Sequence, residues 1–566
     1  MRLFKKQKKT ELAFDEILLD ASNLPSFNMN RMEGRMELPL SQRGIYAVAG
    51  VFFLIACIFS FQLFKLQVIE GAELAALSKE NSLTEALIIA ERGAIYDRNG
   101  EMLAWNEFDD DKDWGFPLRA YTDREGLGQL IGYVSYPKKD SAGFYYRTEY
   151  LGRSGAEEAY HDVLEGENGK RLVEVNALGN IISEGVVAQA RPGEEVLLSV
   201  DAELTEFMYN TIATNTAMLD FRSGGGAIMD VETGELIAMT SFPSYDPEVL
   251  SDGDDVAAIN ALNNDDRFPF LNKIIGGVYT PGSIVKPFVA YGALAEDVID
   301  PMKVIVSNGS IVVPNPYNPA NPSVFNDWRA HGRMTMRDAI AYSSNVYFYT
   351  IGGGFGDQPG LGITRLNKYF RLFGLGEKTG IDLGGEVEGT VPNPEWKREV
   401  FDDDWRLGDT YFTAIGQYGF LATPLQMLRA YAALANGGQL IDPHTSKGKK
   451  GDSIDLDLNA DDLKVVTEGM RQTVIQDGGT ARAFQRDDVK IAAKSGTAEL
   501  DASNSYVNSW IAGFFPYEEP KYAFILFMER GPYENTLGAG RVMGWVFDWM
   551  AENRPQYFQP AQNEIR

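Results

Sequence analysis

Apolar positions run without a break over residues 45–64, IYAVAGVFFLIACIFSFQLF, twenty residues with no charge. At about 1.5 Å per residue, a helix of that length reaches about 30 Å, the hydrocarbon thickness of a bilayer. A cleaved signal peptide fits poorly, because the run is long, 44 residues precede it and no small-x-small site follows. The pattern predicts one transmembrane helix. Past it, residues 68–87 read as helical, and ALIIAERGAIYDRNGEMLA reads as strand, turn, strand, with Asn99-Gly100 closing a tight turn that starts at Asp97. An acidic loop follows at 109–113. Residues 123–223 mix short strands, glycine turns and one amphipathic stretch, GAEEAYHDVLEG, and carry no chemistry-bearing cluster. They read as a pedestal.

The texture changes at Gly224. GGGAIMDVETGELIAMTSF alternates as a β-hairpin around Glu232-Thr233-Gly234. Helical periodicity dominates over 284–437, in VKPFVAYGALAEDV, MRDAIAYSSNVYFYTIG, ITRLNKYFRLFG and TPLQMLRAYAALANGG. Strands return in VKIAAKSGTAEL, NSWIAGFFP and KYAFILFMERG, before a last helix GRVMGWVFDWMAEN. A hairpin, a helical middle, consecutive strands and a closing helix predict one α+β domain on an antiparallel sheet, its first and last segments side by side. The chain divides into an arm (1–44), the membrane helix (45–64), the pedestal (65–223), the α+β domain (224–552) and a tail (553–566). Residues 11–21 of the arm have the periodicity of a short amphipathic helix, but a loose arm is the preferred reading.

Charge fixes the orientation. Eight Lys/Arg lie in residues 1–44 and two in 65–84. The positive-inside bias therefore puts the N-terminus in the cytosol and everything after the span outside. The exported part carries 44 basic and 74 acidic residues, a net charge of −30. That excludes nucleic acid as the main partner, since phosphate binding needs clustered cations. The one cysteine, Cys57, lies inside the apolar run, so an intrachain disulfide, a Cys-based zinc site and a thiol nucleophile are excluded. The three histidines, His161, His331 and His444, are far apart and match no zinc-hydrolase spacing.

With so little histidine and no G-x-S-x-G elbow, a serine nucleophile needs another base. A lysine serves if its surroundings lower its pKa, and a helix puts residue i+3 on the face of residue i. Ser283-Ile284-Val285-Lys286 has that spacing, and Pro287 places it at a helix start, where free N–H groups favour negative charge on oxygen. The spacing recurs at Ser135…Lys138 and Ser446…Lys449, the first holding Pro137 and the second lying in a Lys/Gly-rich loop. Ser343-Ser344-Asn345 pairs a hydroxyl with an amide that can pass a proton and hold a substrate amide. Its bland reading is a helix end with capping residues. Lys494-Ser495-Gly496-Thr497 lies on an alternating strand. Gly496 there permits close backbone approach, and Lys494 and the hydroxyls suit a carboxylate. A rival, Lys378-Thr379-Gly380, sits in a glycine-rich turn and ranks below it.

S-x-x-K, S-x-N and K-S-G-T in this order are the motif set of penicillin-binding proteins and class A β-lactamases. With ERGAIYDRNGEMLA, LGRSGAEEAY, YTPGSIVKPF and NDWRAHGRMTMRDAIAYSSNVYFY, the chain resembles a class B penicillin-binding protein. VPNPEWK and WRLGDTYFTAIGQ resemble the elongation-type branch more than the septal one. IGQYGF departs from the family's usual Ile-Gly-Gln-Gly order, and the pedestal is compact for the family. The resemblance implies a penicillin-binding, β-lactamase-like transpeptidase fold on a dimerisation-type pedestal. It implies D,D-transpeptidation of peptidoglycan stem peptides, with no metal or organic cofactor. Ser283 is then the nucleophile, Lys286 its base, and Ser343 and Lys494 the proton path to the leaving D-alanine. Asn345, Ser495, Gly496 and Thr497 bind substrate, and the N–H groups of Ser283 and Thr497 form the oxyanion hole. β-Lactams acylate the same serine, and a SEDS-family glycosyltransferase with other elongation-complex membrane proteins is the implied company. A serine β-lactamase, a lactam sensor, an inactive scaffold of this fold and a non-enzymatic adhesin are the competing readings.

Overall fold

The computed structural model describes residues 41–74, 83–108, 114–141, 145–175, 181–315, 318–500, 505–534 and 537–559. The amphipathic stretch 11–21, the acidic loop 109–113 and the end of the tail lie outside the described residues. Residues 85–173 and 183–566 make one compact unit, and the membrane-type helix belongs to another.

That helix, α1 (Gln42–Phe64), starts where the Ser41 hydroxyl accepts from the Gly44 N–H, and none of its residues is buried. It continues to Ile69, long and apolar enough to cross a membrane. One expectation fails just beyond it. Residues 83–87, read from their pattern as the end of a helix, fall in the strand Leu83–Ile88, because ladder pairing outweighs local propensity over so short a stretch.

In the compact unit the chain first makes β1 (Ile95–Tyr96), β2 (Met102–Glu107) and β3 (Leu118–Tyr121), joined by β4 (Val196–Leu197) in the order β4-β1-β2-β3. The expected turn is there. Asp97 Oδ1 accepts the N–H groups of Asn99 and Glu101 at 2.8 Å each, and Gly100 takes φ 86°. Beneath it the Glu157 carboxylate, from GAEEAY, binds the Nε of Arg92 (2.5 Å) and of Arg119 (2.7 Å), all three side chains closed to solvent.

The α+β domain is entered through α2 (Ala202–Met218) and begins with the hairpin β5 (Ser223–Asp230) and β6 (Leu236–Phe242). A helical middle follows, including α3 (Lys286–Ala295), α4 (Met336–Tyr342), α5 (Asn345–Gly353) and α6 (Pro424–Ala435). The chain returns in β7 (Ala492–Glu499), β8 (Tyr506–Phe515) and β9 (Tyr522–Pro532), and closes with α7 (Ala539–Asn553). The five strands form one antiparallel sheet in the order β6-β5-β9-β8-β7, so the hairpin is side by side with the last strand. Both faces are covered, which explains why the central strands are apolar nearly throughout. Leu204, Met208 and Ile212 of α2 pack with Val546 and Phe547 of α7 on one side. On the other, Phe288 of α3 and Tyr431 of α6 belong to the larger core. β7 is left as the edge strand, facing the start of α3.

Candidate active site

Gly282–Val285 is a single 3-10 turn leading into α3, closed by the Lys286 N–H on the Ser283 carbonyl. Residues i and i+3 eclipse in such a turn, so Ser283 and Lys286 share one side. The turn is held from three directions. Trp510 Nε1 donates to the Thr280 carbonyl at 3.1 Å, the Tyr431 hydroxyl to the Ile284 carbonyl at 2.7 Å, and the Gly282 N–H to Gly416 at 3.0 Å. Gly282 has φ 59°, and a Cβ there would lie 2.8 Å from the Thr497 carbonyl oxygen, so only glycine lets the turn reach β7 this closely. Ser283 is half-buried, and its hydroxyl makes no hydrogen bond among the described residues.

Lys286 is fully buried, and its Nζ meets three oxygens: the Ser343 carbonyl at 2.8 Å, the Ser343 hydroxyl at 3.3 Å and Asn345 Oδ1 at 2.7 Å. Burial drives its pKa down and the carboxylate of Asp327 offsets part of that, leaving it at about 7. Every direct partner is uncharged, so no carboxylate in contact holds the proton on the amine.

The expected single helix through MRDAIAYSSNVYFY is two. Ser343 ends α4 in the left-handed region at φ 58°, and Ser344 caps α5, its hydroxyl accepting from the Tyr347 N–H. The break is made by Asp327, a residue the sequence did not single out. Its carboxylate accepts from the Ser344 hydroxyl (2.6 Å), the N–H groups of Asn345 (2.9 Å) and Val346 (3.1 Å), and the Ser307 hydroxyl (3.1 Å). His331 Nε2 stands 3.5 Å away. Burial would raise the Asp327 pKa, but His331, Ser344, the Asn345 N–H and the charge of Lys286 outweigh it and hold the group at about 2. A fixed anion at the start of α5 satisfies that helix's free N–H groups and turns the Ser343 carbonyl toward Lys286. The Asp-x-x-x-His spacing in NDWRAHGRM was the available signal.

From β7, Lys494 is buried with its Nζ donating to the Ser495 carbonyl at 2.8 Å. Burial, and then the positive charge of Lys286, push its pKa well below the usual lysine value. The Ser495 hydroxyl donates to Thr480 Oγ1 at 2.6 Å, a second partner missed from sequence. Gly496 lies against the Ser283 turn, since a Cβ there would be 2.9 Å from the Ile284 side chain. Thr497 is exposed. The structure thus joins Lys286, Ser343 and Asn345 by hydrogen bonds, Lys494 to Lys286 by charge, and residues 496–497 to the Ser283 turn by packing. The rival Lys378-Thr379-Gly380 is a loop whose Thr379 N–H and hydroxyl both go to Glu386 Oε1 at 2.6 Å, with Lys378 exposed. In IGQYGF, Gly416 and Gly419 take φ 77° and 74°, and Tyr418, between them, takes the left-handed region at φ 63°.

The penicillin-binding protein transpeptidase domain matches residues 224–546, and the penicillin-binding protein dimerisation domain matches 116–198. The peptidoglycan D,D-transpeptidase MrdA of Escherichia coli K12 is 32% identical over 467 residues, 76% of this chain and 70% of that protein. Penicillin-binding protein 2 of Helicobacter pylori, solved in complex with MreC, matches with a TM-score of 0.68 at 28% identity over 83% of this chain and 99% of that one. A chain from a structure described as the coordination of polymerization and crosslinking by a peptidoglycan synthase complex matches with a TM-score of 0.69 at 27% identity, over 92% and 99% of the two chains. With its α+β sheet, its pedestal and its three motifs in order, the chain belongs to the penicillin-binding-protein transpeptidase family and is similar within it to penicillin-binding protein 2.

Proposed function

We propose that this chain is a serine D,D-transpeptidase that cross-links peptidoglycan through an acyl-enzyme on Ser283. The observation that carries the assignment of residues is Lys286, a buried amine at about pKa 7 whose partners are a carbonyl, an amide oxygen and a hydroxyl. As a neutral amine it spends its two N–H bonds on Ser343 O and Asn345 Oδ1 and keeps a lone pair for the Ser283 proton. The serine oxygen then bonds the carbonyl carbon of the penultimate D-alanine of a stem peptide. The N–H groups of Ser283 and Thr497 steady the oxyanion, and Gly496 admits the substrate backbone beside β7. The C–N bond breaks as the proton passes by way of Ser343, aided by Lys494, to the leaving D-alanine. Asn345 orients the peptide amide, while Lys494, Ser495 and Thr497 hold the terminal carboxylate. The amine of a neighbouring stem attacks the ester carbonyl, forms the cross-link and returns the proton to Ser283. β-Lactams acylate Ser283 by the same first step.

The setting is the cytoplasmic membrane, crossed once by α1 with the N-terminus in the cytosol, and the process served is wall elongation and cell shape. The pedestal (65–223) and α1 dock a polymerising glycosyltransferase of the SEDS family and other elongation proteins. The MreC and synthase complexes named for similar chains support that reading. The test is intact mass of the detergent-solubilised chain after penicillin treatment. One added penicillin on the wild type and none on Ser283→Ala is expected. An adduct surviving in the variant refutes the serine, and rapid hydrolysis in place of a lasting adduct makes the chain a β-lactamase.

A further inference from the structure

Trp328 and Arg329 follow Asp327 directly and form a platform that the chemistry above does not use. The indole is about half exposed, at 51%, yet it is pinned: its Nε1 donates to the carbonyl of Tyr342, the residue before Ser343, at 3.2 Å. The Arg329 guanidinium lies over the indole, 4.4 Å from its ring centroid, and 5.7 Å from that of Tyr342. Its Nε–H donates to His331 Nδ1 at 3.3 Å, and the His331 ring stacks on Tyr342, so the head of the arginine is fixed from both sides. The far end reaches the other motif. A Cβ on Gly478 would stand 3.3 Å from Arg329 Nη2, and Gly478 lies two residues before Thr480, the partner of Ser495.

An exposed cation thus spans the rim between the serine-serine-asparagine junction and the lysine-serine-glycine-threonine strand. It forms no ion pair among the described residues. The neighbouring carboxylates are engaged elsewhere, Asp327 by five donors, the Trp328 N–H among them, and Asp477 by Arg482. Past residue 64 the chain has 74 acidic residues against 44 basic ones, which makes an unmatched guanidinium there conspicuous. A planar guanidinium stacked on an aromatic ring is already oriented and presents its free N–H edge, the geometry that takes a carboxylate in two parallel hydrogen bonds.

We infer that Arg329, held by Trp328, is a specificity-determining residue that binds a second carboxylate of the peptide substrate, on a side chain and distinct from the terminal one held by Lys494, Ser495 and Thr497. This rests on the acyl-transfer reading. Benzylpenicillin and carbenicillin differ by a single side-chain carboxylate, so their second-order acylation rates on the solubilised full chain isolate the contact. In Arg329→Gln the carbenicillin rate falls about fivefold or more while the benzylpenicillin rate stays within about twofold, which also certifies the fold. Arg329→Lys recovers part of the difference, and Trp328→Leu loses it. A variant in which carbenicillin loses no more than benzylpenicillin overturns the inference. A wild-type chain that neither penicillin acylates overturns the acyl-transfer reading as well, so the two failures are told apart.

Discussion

Lys397, on the helix Pro394–Phe401, has its Nζ 2.6 Å from Asp409 of the helix Leu407–Ala414 and 3.1 Å from Asp403. Lys286 follows the Ser283 turn with its Nζ at similar distances from a carbonyl and an amide oxygen. Both side chains are buried. Burial pulls the Lys397 pKa down, but the two aspartates outweigh it and hold the group well above the ordinary lysine range. At Lys286 burial prevails, because the one nearby carboxylate, Asp327, is turned toward Ser344 and the start of α5 and acts only at a distance. Hydrogen-bond number and length do not separate a structural lysine from a reactive one here. The charge of the acceptors does. A carboxylate in contact fixes the proton, and neutral oxygens around a buried amine release it.

The largest break in this contrast comes from Lys286 itself. On the proposed mechanism Lys286→Met removes the base and leaves Ser283 in its turn, and penicillin acylation should fall by about a thousandfold, read as the second-order rate. Acylation by the wild type should climb about tenfold per pH unit below about 7 and level off above it, since the proposed base is the neutral amine, which forms as pH rises through that value. A rate that falls over the same rise in pH refutes the assignment.

Asp327→Asn tests the acceptor argument from the other side. Removing the anion removes the negative charge that favours the Lys286 proton, so the inflection of the rate profile should move to lower pH. The plateau should also drop about tenfold as the Ser344 and α5 anchors weaken. An inflection that stays in place means that Asp327 acts only as a structural anchor. Lys397→Met should do the reverse. It leaves two carboxylates without their cation and should cost about 2–3 kcal/mol of stability in denaturant unfolding, less than a fully buried pair because Asp403 is partly exposed. The pH inflection of acylation should not move.

What was legible in the sequence follows the same division between local and distant causes. The Ser283–Lys286 relation is one turn of backbone, and the β5–β6 hairpin is set by its own alternation and by Gly234, so both could be read directly. The left-handed Ser343 could not, because MRDAIAYSSNVYFY has an unbroken helical pattern and the break comes from a carboxylate sixteen residues earlier. Asp327 in turn looks like one more polar residue of a loop until α5 lies in front of it. Leu83–Ile88 misled for a related reason, since its strand character comes from pairing rather than from its own residues.

The smallest expected effect concerns two stretches that sequence alone nearly equates, Lys378-Thr379-Gly380 and Lys494-Ser495-Gly496. Each has a lysine, a hydroxyl and a glycine in order. The first is a loop in which Glu386 takes the threonine's donors, and its lysine is exposed. The second is an edge strand whose glycine meets Ile284 and whose lysine feels Lys286. Lys378→Met should therefore leave penicillin acylation within twofold, a surface change that removes neither a buried charge nor a packed contact. Lys494→Met should lower acylation at least tenfold, because in the proposed mechanism the proton path and the carboxylate hold both pass through that amine. Equal losses at the two lysines would mean that the motif's composition, and not its seat on the strand beside the nucleophile turn, decides what it does.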